Sequence, residues 1–125
     1  MDLKHLDKKE DEKMPRELNL LQECEEKTIL INGVEFPILL SDDDLFKIPH
    51  EYAKVYKETD FTNLDDIVKI SEFMDDLFDR TLGAGALKKI SGGKPVMFAD
   101  KSKWYKIIYD EIFDIYGKAL AARYE

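Results

Sequence analysis

Apolar residues recur along this chain in two rhythms, and the change of rhythm marks its elements. Thr28-Ile29-Leu30-Ile31 and Val34-Glu35-Phe36-Pro37-Ile38 are runs of branched and aromatic residues separated by Asn32-Gly33. Such side chains suit the pleated, half-buried surface of a strand. Asn32 and Gly33 supply the two positive φ angles of a type I′ turn, so a two-residue β-hairpin is predicted. That register sets Ile31 opposite Val34 and Ile29 opposite Phe36. It gathers these four and Ile38 on one face, and Leu30, Glu35 and Pro37 on the other. Pro37 has no N–H, so its strand must be an edge there or end there. A lone hairpin is marginal in water, so its apolar face must pack on helices or join another sheet.

Beyond Ile38 the spacing changes to three and four. Ser41-Asp42-Asp43-Asp44 reads as a helix start, with Ser41 as cap and the aspartates at the positive helix end. A calcium loop is the sharper reading of that run, but the glycine and closing glutamate of an EF-hand are missing. Pro49 predicts either a short turn that ends before it or a kink. Tyr52, Val55 and Tyr56 then form a stripe toward Glu58. Thr62-Asn63-Leu64-Asp65 resembles a capping box with aspartate in place of glutamate. Leu64, Ile67, Ser71, Met74 and Phe78, widened by Ile70, Phe73 and Leu77, predict an amphipathic helix from Asn63 to Leu82, which Gly83 ends. A short turn from Ala86 to Ile90 follows, stopped by Gly92-Gly93. A last helix is predicted from Asp100 to Ala122. Trp104, Ile107, Ile108, Ile112 and Ile115 form its buried face, flanked by Tyr105, Tyr109 and Tyr116. Gly117 near its end costs about 1 kcal/mol relative to alanine.

Residues 1–27 stand apart. Lys8 to Lys13 is a mixed-charge run with nothing to bury, so Met1 to Met14 is predicted to be a mobile tail. Pro15 to Glu26, with Leu18, Leu20 and Leu21, is a candidate helix. The predicted fold class is α+β, mainly α. It is a single domain over 28–125, a β-hairpin packed on three or four helices, preceded by a charged extension over 1–27.

Composition narrows the function classes. A chain of 125 residues can bury one core without staples. Its 27 acidic and 19 basic residues give a net charge of -8, which repels phosphate backbones and anionic membranes. Nucleic acid and membrane are therefore not expected partners. The charge favours a well-solvated surface or basic protein partners, and mimicry of nucleic acid is its rarer use. No apolar run is long enough to span a bilayer and no hydrophobic signal core opens the chain. A cytoplasmic location follows as the expectation. Cys24 is the single cysteine, in keeping with a reducing compartment, and no base marks it as a nucleophile. With only His5 and His50 beside it, a structural zinc site is not expected.

Three motifs invite chemistry. Asp75-Asp76-Leu77-Phe78-Asp79 spells D-D-x-x-D, a magnesium-binding pattern, but a second acidic cluster and a large helical cage are lacking, so a solvated helix face is the plainer reading. Gly83-Ala84-Gly85 has Lys88 where a dinucleotide fingerprint needs glycine. Gly92-Gly93-Lys94 lacks the upstream glycine of a P-loop, and Pro95 replaces its hydroxyl residue. Turn chemistry explains both. Lys88, Lys89 and Lys94 remain a basic island, suited to an acidic segment of a partner or simply to solvent. No cofactor, metal or catalytic residue is assigned.

The residues Ile31 to Phe36, the aspartate-rich helix start, Phe78-Asp79-Arg80-Thr81-Leu82-Gly83-Ala84-Gly85-Ala86, then Gly92-Gly93-Lys94 and a closing aromatic helix, together resemble a family of tail-assembly chaperones. Tailed phages and prophages of Gram-positive bacteria encode these small proteins. The resemblance spans Thr28 to Tyr116 and implies a non-enzymatic chaperone that binds the tape-measure protein and recruits tail-tube subunits in the host cytoplasm, as a homo-oligomer. It carries over Phe78, Asp79, Gly83, Gly85, Gly92 and Gly93 as shape determinants only, beside Asn32 and Gly33, which the tight turn singles out by itself. Leu30, Phe46, Tyr105, Tyr109 and Tyr116 exceed what a small core comfortably buries, which makes them candidates for an interface, with packing inside the domain the default for each. The competing readings are a small acidic phage inhibitor of a host enzyme or defence system, and a magnesium enzyme built on Asp75, Asp76 and Asp79. An inhibitor that mimics DNA would have to align Asp42, Asp43, Asp44, Asp65, Asp66, Asp75 and Asp76 on one surface.

Overall fold

A computed structural model describes residues 15–20 and 27–124. The predicted tail, Met1 to Met14, and residues 21–26 of the candidate helix lie outside the described residues, and residues 15–19 form no helix. The architecture is a two-stranded antiparallel hairpin followed by four described helices.

Strands β1 (Thr28–Ile31) and β2 (Val34–Pro37) pair in the predicted register, Ile31 against Val34 and Ile29 against Phe36. Asn32 and Gly33 take φ values of 51° and 82°, as the tight turn demands. Ile29 and Phe36 enter the core, which solves the instability of an isolated hairpin. Two hydrogen bonds fasten it to the helices. The Asn32 amide donates to the Ile90 carbonyl at 3.1 Å, and the Leu39 N–H to the Thr81 carbonyl at 2.9 Å.

Helix α1 (Asp42–Glu58) begins at Ser41 with a reciprocal cap. The Asp44 N–H donates to the Ser41 hydroxyl, and the Asp44 carboxylate accepts from the Ser41 N–H at 2.9 Å. The Ser41 hydrogen bonds hold the Asp44 carboxyl below its ordinary range, led by the one from the backbone. Of the two outcomes expected at Pro49, a stop or a kink, the stop does not occur, and the helix continues through Pro49. The reason is a substitute donor from α4, described below.

Helix α2 (Leu64–Leu82) is capped by Asn63, whose side chain accepts from the Asp66 N–H at 3.2 Å. The expected cap, Thr62, instead donates through its N–H and hydroxyl to Asp60. Its buried stripe is Ile70, Met74, Leu77, Phe78, Thr81 and Leu82, while Leu64 at its start is exposed. Helix α3 (Ala86–Ser91) ends at Gly92 in the left-handed conformation.

Helix α4 (Phe98–Tyr124) is longer than predicted and rotated. Lys101, Tyr105, Ile108 and Ile112 are buried, whereas Ile107, expected in the core, is exposed. Spacings of four, three and four place the buried set on one face. The rotation follows from partners on α2. Tyr105 meets Thr81 through a 2.7 Å hydroxyl bond, and the Lys101 ammonium reaches Ser71 and Asp75 at 2.8 and 2.7 Å.

Candidate protein-binding surface

Helix α4 is gripped on one flank by α2 and on another by α1, in different ways. Its backbone approaches α2 closely and α1 less so. Toward α1 the ties are hydroxyl rungs. The Tyr52 and Ser102 hydroxyls lie 2.9 Å apart, Tyr109 donates to the Leu45 carbonyl, and Tyr116 donates to the Leu40 carbonyl. Ser102, Tyr109 and Tyr116 recur every seven residues, so they share one face of α4. Their partners descend in number as they ascend, which makes α1 and α4 antiparallel. Tyrosines are long, so the two helices stand apart wherever no rung fills the space.

Those spaces are apolar grooves. The first, about 540 Å³, lies between the Ser102 and Tyr109 rungs over Ile48, Pro49, Met74 and Leu77. The second, about 400 Å³, continues past Tyr109 over Leu45, Phe46, Phe113, Tyr116 and Leu120. Pro49 lines both, so they form one interrupted seam. Phe46 is 69% and Phe113 59% exposed at its mouth. The rim carries Lys103 and the Lys106–Asp110 ion pair at one end, and Asp42 and His50 at the other. Burial raises the Tyr109 and Tyr116 hydroxyl pKa values, which keeps both as neutral donors.

The residues singled out from sequence fall into three groups. Tyr105, a candidate for an interface with internal packing as its default, is a core residue, because its hydroxyl finds Thr81 and its ring meets Phe78 edge-on at 5.4 Å. Tyr109 and Tyr116 are half-buried and serve as rungs. Lys88, Lys89 and Lys94 are exposed on α3 and the loop after it. Lys88 and Lys94 border a pocket of about 340 Å³ that also holds Lys101, Asp75 and Asp79, so carboxylates offset much of the basic charge.

The F-D-x-x-x-G-x-G-A stretch is a helix stop. Phe78 is fully buried, the Asp79 carbonyl accepts from the Gly83 N–H at 2.9 Å, and the Asp79 carboxylate accepts from the Gly85 N–H at 3.1 Å. Gly83 sits at φ 104°, ψ 161°, a region that only glycine enters freely. The D-D-x-x-D spelling divides among unrelated tasks. Asp75 pairs with Lys101, Asp79 holds Gly85, and Asp76 faces solvent. Among the described residues, no three or more His, Cys, Asp or Glu side chains gather to hold a metal ion. His5 and Cys24 lie outside those residues, and the His50 Nδ1 stands 3.2 Å from the Phe46 carbonyl.

Sequence reasoning pointed to Phe46 but passed over Phe113 and Leu120. The available signal was their spacing of seven from each other, off the stripe that fills the core. Within the described residues no helix is long and apolar enough to cross a membrane. No family model matches the chain, and neither a curated protein nor a solved structure matches it.

Proposed function

We propose that this protein is a non-enzymatic binding protein of phage tail assembly, which holds a helical segment of another virion protein along the α1–α4 seam. The observation that supports this reading is the pair of apolar grooves flanking Tyr109, with Phe46 and Phe113 exposed beside them. Small domains seldom leave large aromatic side chains clustered in water without a use. A groove between two antiparallel helices receives the apolar face of a third, in the helix-in-groove mode. The tape-measure protein, long and helical, is the partner that the family resemblance supplies. Tail-tube subunits and further copies of this chain are the other members of the assembly, which forms in the bacterial host cytoplasm.

The test is co-expression of the full chain with the tape-measure and tube proteins of the same phage, followed by light scattering on the purified complex. A defined complex is expected. Phe46→Asp and Phe113→Asp should each weaken it about tenfold or more without lowering the melting temperature, since both side chains are exposed and central. A strict monomer that ignores both virion proteins overturns the proposal.

The alternative drawn from charge, an acidic inhibitor that mimics nucleic acid, draws less support. Asp44 is committed to Ser41, Asp66 accepts from the Asp60 N–H, and Asp75 pairs with Lys101. A mimic needs such carboxylates free and aligned.

A further inference from the structure

Strand β1 has an open side. Hydrogen-bonded and non-hydrogen-bonded pairs alternate along an antiparallel ladder. Ile31 and Val34 close the turn, Ile29 pairs with Phe36, and the Ile38 N–H reaches the Lys27 carbonyl at 2.9 Å. The positions between them, Thr28 and Leu30, therefore aim their N–H and C=O groups away from β2. Among the described residues no other group takes these up. Strand β2 differs. Of its two outward positions, Glu35 carries a charge and Pro37 has no N–H, and the chain leaving it is fastened through Leu39 to Thr81. Sheets commonly guard an edge with proline, lysine or a bulge. Among the described residues, β2 has such guards and β1 has none.

A groove of about 540 Å³ runs along this open side. Thr28 through Asn32 all line it, although successive side chains point to opposite faces. Only the edge of a strand presents them all. The far wall is α4, through Ile107, Ile108, Ile115 and Glu111. Ile107 is 60% and Leu30 70% exposed. An unsatisfied backbone row, an apolar wall and a single carboxylate thus face one another.

We propose that this groove accepts an extended segment of a partner protein as a third strand, hydrogen-bonded to Thr28 and Leu30 and laid against Ile107 and Ile115. The backbone row selects a strand over a helix, because a helix has already used its own N–H and C=O groups. Alternate apolar side chains of the segment fill the α4 wall. A lysine or arginine among them meets Glu111, on a chain whose net charge of -8 already favours basic partners. A second copy of β1 is a poor occupant, since it arrives with its own α4 on the side where the first α4 stands. This surface is distinct from the α1–α4 seam, which uses Tyr109, Phe113 and Tyr116 on another face of α4.

The full chain is panned against a displayed library of random short peptides, and the best binder is synthesised and measured by fluorescence anisotropy. Peptides with alternating branched apolar residues and a basic residue are expected. Leu30→Pro removes one outward N–H and no ladder bond, and should weaken binding about tenfold or more. Leu30→Thr keeps that N–H and should retain the affinity. Should Leu30→Pro lower the melting temperature, N-methylation of alternate peptide backbone nitrogens supplies the same loss with the protein untouched. Phe113→Asp leaves this binding unchanged, which separates it from the tail-assembly reading. Three results overturn the proposal: no alternating pattern among the selected peptides, equal binding to the Leu30→Pro and Leu30→Thr proteins with no loss on N-methylation, or binders that Phe113→Asp alone abolishes.

Discussion

The Tyr109 hydroxyl donates to the Leu45 carbonyl, the acceptor that Pro49 leaves without its helical N–H. In an α-helix the N–H of each residue bonds the carbonyl four places earlier, and proline has none to give. A side chain on α4, 64 residues along the sequence from Leu45, repairs the gap. Helix α1 therefore continues where its local sequence predicts an end or a kink. The same contact is the central rung of the α1–α4 seam, so a defect in one helix fixes how the other is attached.

A double-mutant cycle tests this coupling. Tyr109→Phe strands a half-buried carbonyl and should cost about 1 kcal/mol in urea denaturation. Pro49→Ala restores an N–H at that position, so Tyr109→Phe in the Pro49→Ala background should cost only a fraction of that. Equal penalties in both backgrounds mean that Pro49 and Tyr109 act independently.

Most local elements were legible before the structure, because their signals are short in range. Asn32-Gly33 dictates the hairpin and its register, Ser41 the start of α1, and Gly83 the end of α2. What escaped depends on partners distant in sequence. The choice between a stop and a continued helix at Pro49 turns on Tyr109, and the rotation of α4 requires Thr81 and Ser71 to receive Tyr105 and Lys101. A lysine in the core is not readable from a stripe of apolar positions. The candidate seam was half-legible. Phe46 stood out as surplus apolar surface, but the grooves exist only because tyrosine rungs hold two helices apart, and no local pattern encodes that distance.

Two glycines, one at the stop of α2 and one inside α4, yield predictions of opposite sign. Gly83→Ala forces a side chain into φ 104° and should cost about 1–3 kcal/mol. Crowding is not the cause, since the nearest atom to an added Cβ is Leu39 Cδ1 at an ordinary 3.9 Å. Gly117→Ala lies in the α4 interior with nothing within 4 Å, and should stabilise by about 0.4–1 kcal/mol. Denaturant midpoints for the two variants should move in opposite directions, and a common direction refutes the assignment.

The aspartates of the D-D-x-x-D stretch should separate by stability. Lys101 is only 8% exposed, so Asp75→Asn leaves its ammonium with Ser71 and little else. Breaking a fully buried ion pair costs about 3–5 kcal/mol, and water at the half-exposed Asp75 should reduce this to roughly 1–2 kcal/mol. Asp76→Asn should fall within about 0.5 kcal/mol of the parent. Thermal melts of the two variants decide it. Matching losses mean that Asp75 is surface like its neighbour.

Alkaline pH should loosen the protein through Tyr105. Burial pushes its hydroxyl from an ordinary 10.0 up to about 12, against a smaller opposing effect of the Thr81 hydrogen bond. Between those values the unfolded chain loses a proton that the folded chain keeps. The folded state then binds more protons, so stability is intact below pH 10 and falls as pH rises toward 12, by up to about 2–3 kcal/mol. Tyr109 and Tyr116, whose pKa values burial also raises, act in the same direction. Tyr105→Phe removes the titrating group but strands the buried Thr81 hydroxyl, costing about 1–3 kcal/mol at neutral pH. Stability curves of parent and variant should therefore lie apart at pH 7 and converge as the pH approaches 12. Curves that stay parallel across that range mean that Tyr105 ionises as readily folded as unfolded, and that its burial has no hold on the proton.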